Sequence, residues 1–386
     1  MSSVRNRLSD VIAMVILFLM ATGAVMVFSA GASLGYEFDL RRFYDFPALR
    51  QIMFFPIAVI VLFVASLPDY RIWSFRGRWY TCPTVWLLVL SFILLAAVFA
   101  VGTEMYGARR WLRIPLGPAS VSFQPSEYAK WVMIFFLAAV CSAIGPDIRR
   151  YWTRFLPVCV VIGLMCVLIV IEDFGTAAII GLMSLVVLII AGVKWWHVLT
   201  LLPVGTTGLI LALFQSPHRL KRVEAFLHPD RLTDSVRYQV NQSLVAIGSG
   251  GIWGKGIGQG TCKYGHVPED TTDFIFAIVG EELGLIGTLG VIALFVLFMF
   301  LGMVVVMRCR DRFGRLLAAG IVLTVGVQAA INIAVVTDIG PTKGIPLPFV
   351  SAGGTSMLLS AAAVGVLLNI AAGIPSGDLD VSIGLD

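Results

Sequence analysis

The sequence predicts an all-α polytopic membrane protein of about ten transmembrane helices, with a long extracytoplasmic loop between spans 7 and 8. Three observations predict it. Of 386 residues, 58% are hydrophobic and only 13% charged, with a mean hydropathy of +0.91, whereas an ordinary soluble domain carries about 25% charged residues. Apolar runs of about 20 residues recur along nearly the whole length, each able to cross roughly 30 Å of hydrocarbon as a helix. No stretch between them accommodates a soluble domain of ordinary size, so residues 1–386 read as a single integral membrane domain.

Spans are expected at 11–30, 51–67, 83–101, 125–144, 155–171, 175–192, 197–215, 273–306, 316–337 and 354–373. The first follows Arg5 and Arg7 in the manner of a signal peptide, but its length and the lack of a small-residue cleavage site favour a retained helix. The eighth is long enough to tilt strongly or to project beyond the membrane. Basic residues crowd the short segments on one side, at Arg71, Arg76, Arg78, Arg149, Arg150, Arg154, Lys194, Arg308, Arg310, Arg312 and Arg315. The opposite short segments hold fewer, so both termini are expected in the cytoplasm. The six cysteines are scattered, with neither a disulfide framework nor a metal-binding spacing. The small positive excess fits loop anchoring, and no basic, aromatic-interleaved patch points to nucleic acid.

This orientation gathers several unusual segments on the outer face. The run 267–282 carries Glu269, Asp270 and Asp273 directly into an apolar helix that also holds Glu281 and Glu282. A carboxylate near the bilayer centre costs roughly 2.5 to 3.5 kcal/mol on insertion scales, so such a cluster at a membrane edge suggests an acid/base site. The plainer alternative is a set of solvated loop charges plus an acidic helix N-terminus favoured by the dipole. Arg109 and Arg110 suit anionic headgroups or phosphates, or serve as interfacial anchors. Pro125 fits the first helical position, and Glu127 and Lys130, at i and i+3, sit close enough to pair on one face. Such a pair is either a structural staple or part of a site.

Glu172 and Asp173 with Gly175 read as a tight turn. In the loop 216–272, Arg219 to Phe226 has the spacing of an interfacial helix, and Tyr238 to Gly251 that of a second amphipathic helix ending in glycines. The glycines of 254–260 offer unobstructed backbone N–H groups, but without a strand before them or a helix directly after they read as a flexible turn rather than a nucleotide loop. Residues 337–356, rich in Gly and Pro yet apolar, are expected to dip into the membrane, where irregular backbone is tolerated if protein buries it or it lines a wet cavity. Lys343 lies within this segment.

A transferase acting on lipid-linked sugars needs a carboxylate to take a proton from the acceptor hydroxyl and cations to offset charge on the departing diphosphate. Asp273, with Arg109, Arg110, Lys130 and Lys343, supplies those types. Along essentially its whole length the chain resembles the SEDS (shape, elongation, division and sporulation) family of peptidoglycan glycosyltransferases. The resemblance rests on Gly-Ala-Arg-Arg-Trp at 107–111, Gln-Pro-Ser-Glu at 124–127, Pro268 and Glu269 with Thr-Asp-Phe-Ile-Phe-Ala at 272–277, Gly-Glu-Glu-Leu-Gly at 280–284, Pro-Thr-Lys-Gly at 341–344 and Leu-Pro-Phe at 347–349 with Ser351.

That resemblance implies polymerisation of lipid II, the undecaprenyl-diphosphate-linked disaccharide-pentapeptide, into β-1,4 glycan at the outer face of the bacterial cytoplasmic (inner) membrane. It implies Asp273 as the catalytic aspartate, Glu127 and Lys130 as a functional pair, Arg109 and Lys343 as diphosphate contacts, and Arg110, Ser351 and Glu269 as further substrate-side residues. It also implies pairing with a class B penicillin-binding protein transpeptidase and other divisome proteins. A divalent cation, Mg or Mn, is compatible with diphosphate chemistry, but no ligand set in the sequence requires one. The Pro-Thr-Lys-Gly form and the Arg-Val-Glu-Ala-Phe opening at 222–226 favour the division branch at the division site over the elongation branch. Thr271, Ala352, Glu172 and Asp338 depart from the family's usual residues at those positions. A lipid II flippase and a scaffold for a transpeptidase are the competing readings.

Overall fold

The computed structural model describes residues 7–31, 47–75, 77–105, 108–116, 119–214, 217–227, 234–262, 271–341 and 344–374. Ten apolar helices fall where the hydropathy pattern places spans: α1 (Arg7–Gly31), α2 (Pro47–Ala65), α3 (Pro83–Val101), α4 (Pro125–Ile144), α5 (Leu156–Val170), α6 (Phe174–Ile190), α7 (Trp195–Phe214), α10 (Ile275–Arg308), α11 (Arg312–Val336) and α12 (Gly354–Ala372). Two further helices, α8 (Pro217–Leu227) and α9 (Asp234–Gly250), lie between α7 and α10. Both were expected from the spacing of basic and apolar residues in that loop.

Local chemistry explains where the helices start. Pro83 and Pro125 open α3 and α4, where a missing N–H costs nothing. Asp173 caps α6 by accepting from the Thr176 N–H, and Asp311 caps α11 by accepting from the Gly314 N–H at 2.9 Å. Side chains such as Phe18, Ile60, Ile93, Val160 and Phe300 are exposed on the apolar helices, as expected where the surrounding solvent is lipid. The interior is formed chiefly by α4 and α11 with α1, α6 and α12 around them.

The stretch between α3 and α4 adds a small antiparallel sheet that the hydropathy pattern does not show. Its strands are β1 (Thr103–Met105), β2 (Ala108–Leu116) and β3 (Ala119–Phe123), in the order β1-β2-β3, with Leu112 opposite Phe123 and Arg113 opposite Ser122. The sheet lies across the start of α4 and presents the Arg109–Arg110 pair there.

The long eighth span breaks at Gly284, whose φ of 68° lies in the left-handed region. The turn after α9 fills the break. Leu285 N–H donates to the Gly251 carbonyl at 2.9 Å, and the N–H groups of Lys255 and Gly256 donate to the Glu281 and Glu282 carbonyls, each at 3.0 Å. These three contacts satisfy backbone groups that the kink leaves unpaired inside the membrane. A Cβ at Gly284 would overlap the Ile252 carbonyl and the Gly254 nitrogen, so glycine is required by space as well as by φ.

The same turn binds the two carboxylates above the kink. Glu281 accepts from Lys255 Nζ at 2.7 Å and from the N–H groups of Thr261 and Cys262 at 2.8 and 3.1 Å. Glu282 accepts from Ser29 Oγ of α1 at 2.7 Å and from the Gly258 N–H at 3.0 Å. The glycine run 254–260 is therefore an anion cradle for the protein's own carboxylates rather than a flexible turn. Glu281 and Glu282 belong to internal packing.

Gly284→Ala is expected to destabilise the protein by at least about 2 kcal/mol, from strained φ plus steric overlap. Gly290→Ala, further along α10 with open space around it, should be neutral or slightly stabilising. Thermal unfolding of the purified variants in detergent checks the contrast, and equal midpoints would contradict it.

Candidate active site

Asp273 sits in the turn that precedes α10 and is half-buried. The segment after α11 folds back against this turn. The Ala352 N–H donates to the Thr271 carbonyl at 2.8 Å, and Ser351 Oγ donates to the Thr272 carbonyl at 2.5 Å. Ser351 Oγ in turn accepts from the Leu347 N–H at 2.7 Å. Asn332 Nδ2, from α11, donates both to the Asp273 carbonyl at 2.8 Å and to the Ile345 carbonyl at 2.7 Å. Three consecutive carbonyls, 271 to 273, are thus each held by a donor from α11 or the returning segment.

The returning segment is irregular because its sequence cannot be otherwise, and Leu347, Phe349 and Val350 anchor it by being buried. Gly344 packs directly on the Asp273 carboxylate: a Cβ there would overlap Oδ2. The segment's one-sided burial of apolar residues leaves its backbone polar groups to be satisfied by side chains, which is how such backbone is tolerated at membrane depth.

Beneath the segment lies a buried ion pair. Lys130 Nζ is 2.9 Å from Glu127 Oε2, and the two residues are 1% and 5% exposed. Lys130 also donates to Gln328 Oε1 at 2.7 Å, Gln328 Nε2 donates to the Pro346 carbonyl at 3.0 Å, and Ser356 Oγ donates to Glu127 Oε2 at 2.7 Å. A small cavity of mixed polar and apolar lining lies beside the segment, bordered by Gln328, Pro346, Leu347, Ser351, Ser356 and Ser360. Buried charges are retained only when each is paired and hydrogen-bonded, and this network does both.

The sequence placed Glu127, Lys130 and Ser351 on the substrate side. All three are buried, Glu127 and Lys130 pair with each other, and Ser351 bonds to the turn that carries Asp273. Glu269 and Lys343, and Asp270 beside them, lie outside the described residues.

The Arg109–Arg110 strand is tied to the turn between α5 and α6. The Arg109 N–H donates to Glu172 Oε2 at 2.7 Å, and Arg110 Nε to the Glu172 carbonyl at 2.6 Å. Both arginines are exposed. Asp173 accepts from Thr176 Oγ1 at 2.6 Å and from Gln124 Nε2 and Ser126 Oγ, both at 3.1 Å. This pair of acids is a structural turn that docks the sheet and the start of α4, as its sequence suggested.

The sequence marks Arg222 of α8 as part of the 222–226 stretch but not as a site residue. Its guanidinium pKa is lowered by burial and by the neighbouring Arg110, against a smaller opposing effect of Asp273. Arg219, one turn earlier, donates to the carbonyls of Ala212, Val170 and Ile171 and stacks over Phe174 at 5.5 Å. It fixes α8 across the ends of α5 and α7. The available signal was the i, i+3 spacing of two arginines on a basic amphipathic helix.

Asp338 has φ of 58°, a conformation glycine adopts without cost, and its carboxylate pairs with Arg237 of α9 at 3.0 Å. The ion pair holds α9 to the end of α11, where Ser243 Oγ also donates to the Val336 carbonyl at 2.8 Å. Among the described residues, no group of three or more His, Cys, Asp or Glu is gathered to hold a metal ion.

The chain matches the sequence family of FtsW, RodA and SpoVE, described as cell cycle protein, over residues 9–374. It is 36% identical to a probable peptidoglycan glycosyltransferase FtsW of Trichlorobacter lovleyi over 94% of this chain and 93% of that one. It is also 36% identical to the stage V sporulation protein E of Bacillus subtilis, over 92% and 94% of the two chains. Among solved structures, a chain from a peptidoglycan synthase complex in which polymerization and crosslinking are coordinated superposes with a TM-score of 0.70 at 26% identity, covering 92% of this chain and 96% of that one. The rod shape determining protein RodA of Thermus thermophilus gives 0.62 at 25% identity, covering 92% and 95%.

Lys130→Met is expected to destabilise the protein by about 3–5 kcal/mol, because it leaves the Glu127 carboxylate buried without its partner. The double variant Glu127→Gln with Lys130→Met should recover most of that loss. Unfolding midpoints in detergent read the difference; a double variant no more stable than the single would contradict a buried ion pair.

Proposed function

Because the chain belongs to the FtsW, RodA and SpoVE family of multi-pass membrane proteins, we propose that it is a peptidoglycan glycosyltransferase that polymerises lipid II at the outer face of the cytoplasmic membrane. The observation that carries this reading is the placement of Asp273. Its backbone is pinned by Asn332 and its carboxylate lies against Gly344.

In the proposed reaction Asp273 takes the proton from the acceptor sugar's 4-hydroxyl. The oxygen attacks the anomeric carbon of the donor, the bond from that carbon to the lipid diphosphate breaks, and the electron pair departs with the diphosphate. An α-linked donor is thereby inverted to a β-1,4 product, and the proton passes from Asp273 to solvent. Arg109, Arg110 and Arg222 offset the charge on the diphosphates, together with Lys343, which adjoins Gly344 in sequence. Cations aimed at developing charge in a partly desolvated site are worth far more than in bulk water. Glu269 is assigned to the substrate side, and a divalent cation is compatible with the diphosphate but not required by this scheme.

A flippase needs a polar route through the bundle. The apolar packing of Met133, Ile134 and Leu137 in α4 below the Glu127–Lys130 pair supports polymerisation over translocation. The similarity to a chain of a synthase complex supports pairing with a class B penicillin-binding protein, so that polymerisation and crosslinking occur together. The names of the FtsW relatives support a septal role with other divisome proteins, and the distribution of basic loops supports cytoplasmic termini.

Asp273→Asn should lower the rate of glycan polymerisation from lipid II by about 10²–10⁴-fold, the usual contribution of a general base. The measurement uses purified protein together with its transpeptidase partner. Polymerisation by the variant at the rate of the unaltered protein would overturn the assignment, and lipid II translocation in vesicles lost along with Asp273 would favour the flippase.

A further inference from the structure

Two amide side chains on α11, Gln328 and Asn332, stand one turn apart and are 3% and 1% exposed. Both reach the segment that returns over Asp273, but they hold different things. Gln328 links the Pro346 carbonyl to Lys130 and so ties the segment to the buried ion pair below. Asn332 spans the site itself: one Nδ2 hydrogen goes to the Asp273 carbonyl and the other to the Ile345 carbonyl. Only the NH₂ end of the amide suits two carbonyl partners, which fixes its orientation.

That orientation has a cost. Among the described residues, Asn332 Oδ1 is left buried with no hydrogen-bond partner, a state that normally destabilises a protein. The amide's two donors satisfy two backbone carbonyls and at the same time tie two segments together. What they bring is geometry. They join the backbone of the proposed base to the backbone one residue from Gly344, which contacts its carboxylate, and two residues from Lys343.

Resting on the reading of Asp273 as general base, we propose that Asn332 is a positioning residue for polymerisation: it sets the separation between the Asp273 turn and the Gly344–Ile345 backbone, and through it the placement of the base relative to the reacting sugars. It touches no substrate itself.

The test compares Asn332→Ala and Asn332→Leu in the full-length protein with its transpeptidase partner, measuring lipid II polymerisation against lipid II concentration alongside thermal unfolding. Both variants should lose at least about tenfold in kcat, with KM within about threefold and unfolding midpoints within about 3 °C, because a small misplacement of a reacting group is costly in rate without being costly in fold. Both variants remove the unsatisfied acceptor, and the Leu variant keeps the side chain's volume, so it guards against loss of fold from a cavity in the Ala variant. A smaller loss of kcat in either folded variant, a loss confined to KM, or unfolding of both variants would overturn the inference. Asp273→Asn measured in parallel separates the two levels. If it polymerises normally, the general-base reading fails; if it is inactive while the Asn332 variants keep their rate, only the positioning role fails.

Discussion

Irregular backbone at membrane depth survives only where each of its polar groups finds a partner within the protein, and the site depends on how that requirement is met. The segment from Gly344 to Ala352 cannot be helical, so its carbonyls and N–H groups are exposed to one another and to neighbouring side chains. Asn332, Gln328 and Ser351 supply the missing partners. In doing so Asn332 and Ser351 attach the segment to the turn that carries Asp273, and Gln328 attaches it to the ion pair below. The hydrogen bonds that make the backbone tolerable are the same ones that fix the proposed base.

A parallel solution appears at the break in α10. Gly284 interrupts the helix, and the turn after α9 inserts N–H donors into the gap while surrounding Glu281 and Glu282 with further donors. Two carboxylates that would be costly in hydrocarbon become the pegs on which the turn is hung. This holds α9 against α10, and the Arg237–Asp338 pair and Ser243 hold α9 against α11. The first residues of α10, and Asp273 just before them, thus rest on a frame of saturated charges rather than on apolar packing alone.

Much of this was legible in the sequence because the physics is local. Apolar length gave the ten helices, Pro125 and the i, i+3 spacing gave the start of α4 and the Glu127–Lys130 pair, and the crowding of Gly and Pro at 337–356 gave the returning segment. The rest depends on distant partners. Nothing within 254–260 reveals that its N–H groups face Glu281 and Glu282 some twenty residues on. Nothing near Ser351 in sequence reveals that its hydroxyl donates to the Thr272 carbonyl. The strands at 103–123 were hidden because a nine-residue β2 that mixes three arginines with apolar residues gives little hydropathy signal. Gln328 and Asn332 did leave a trace, two amides one turn apart in an apolar span, since polar residues at such positions are rare and usually have work inside the bundle.

The dependence of catalysis on a single clamp is measured most directly by a double-mutant cycle in kcat between Gln328→Ala and Ser351→Ala, which hold opposite ends of the returning segment. If both act by fixing one shared geometry around Asp273, the second substitution should cost little once the first is present, giving a coupling of about 1 kcal/mol or more. Effects that add to within about 0.5 kcal/mol would contradict it, because independent contributions are what two unconnected structural contacts produce.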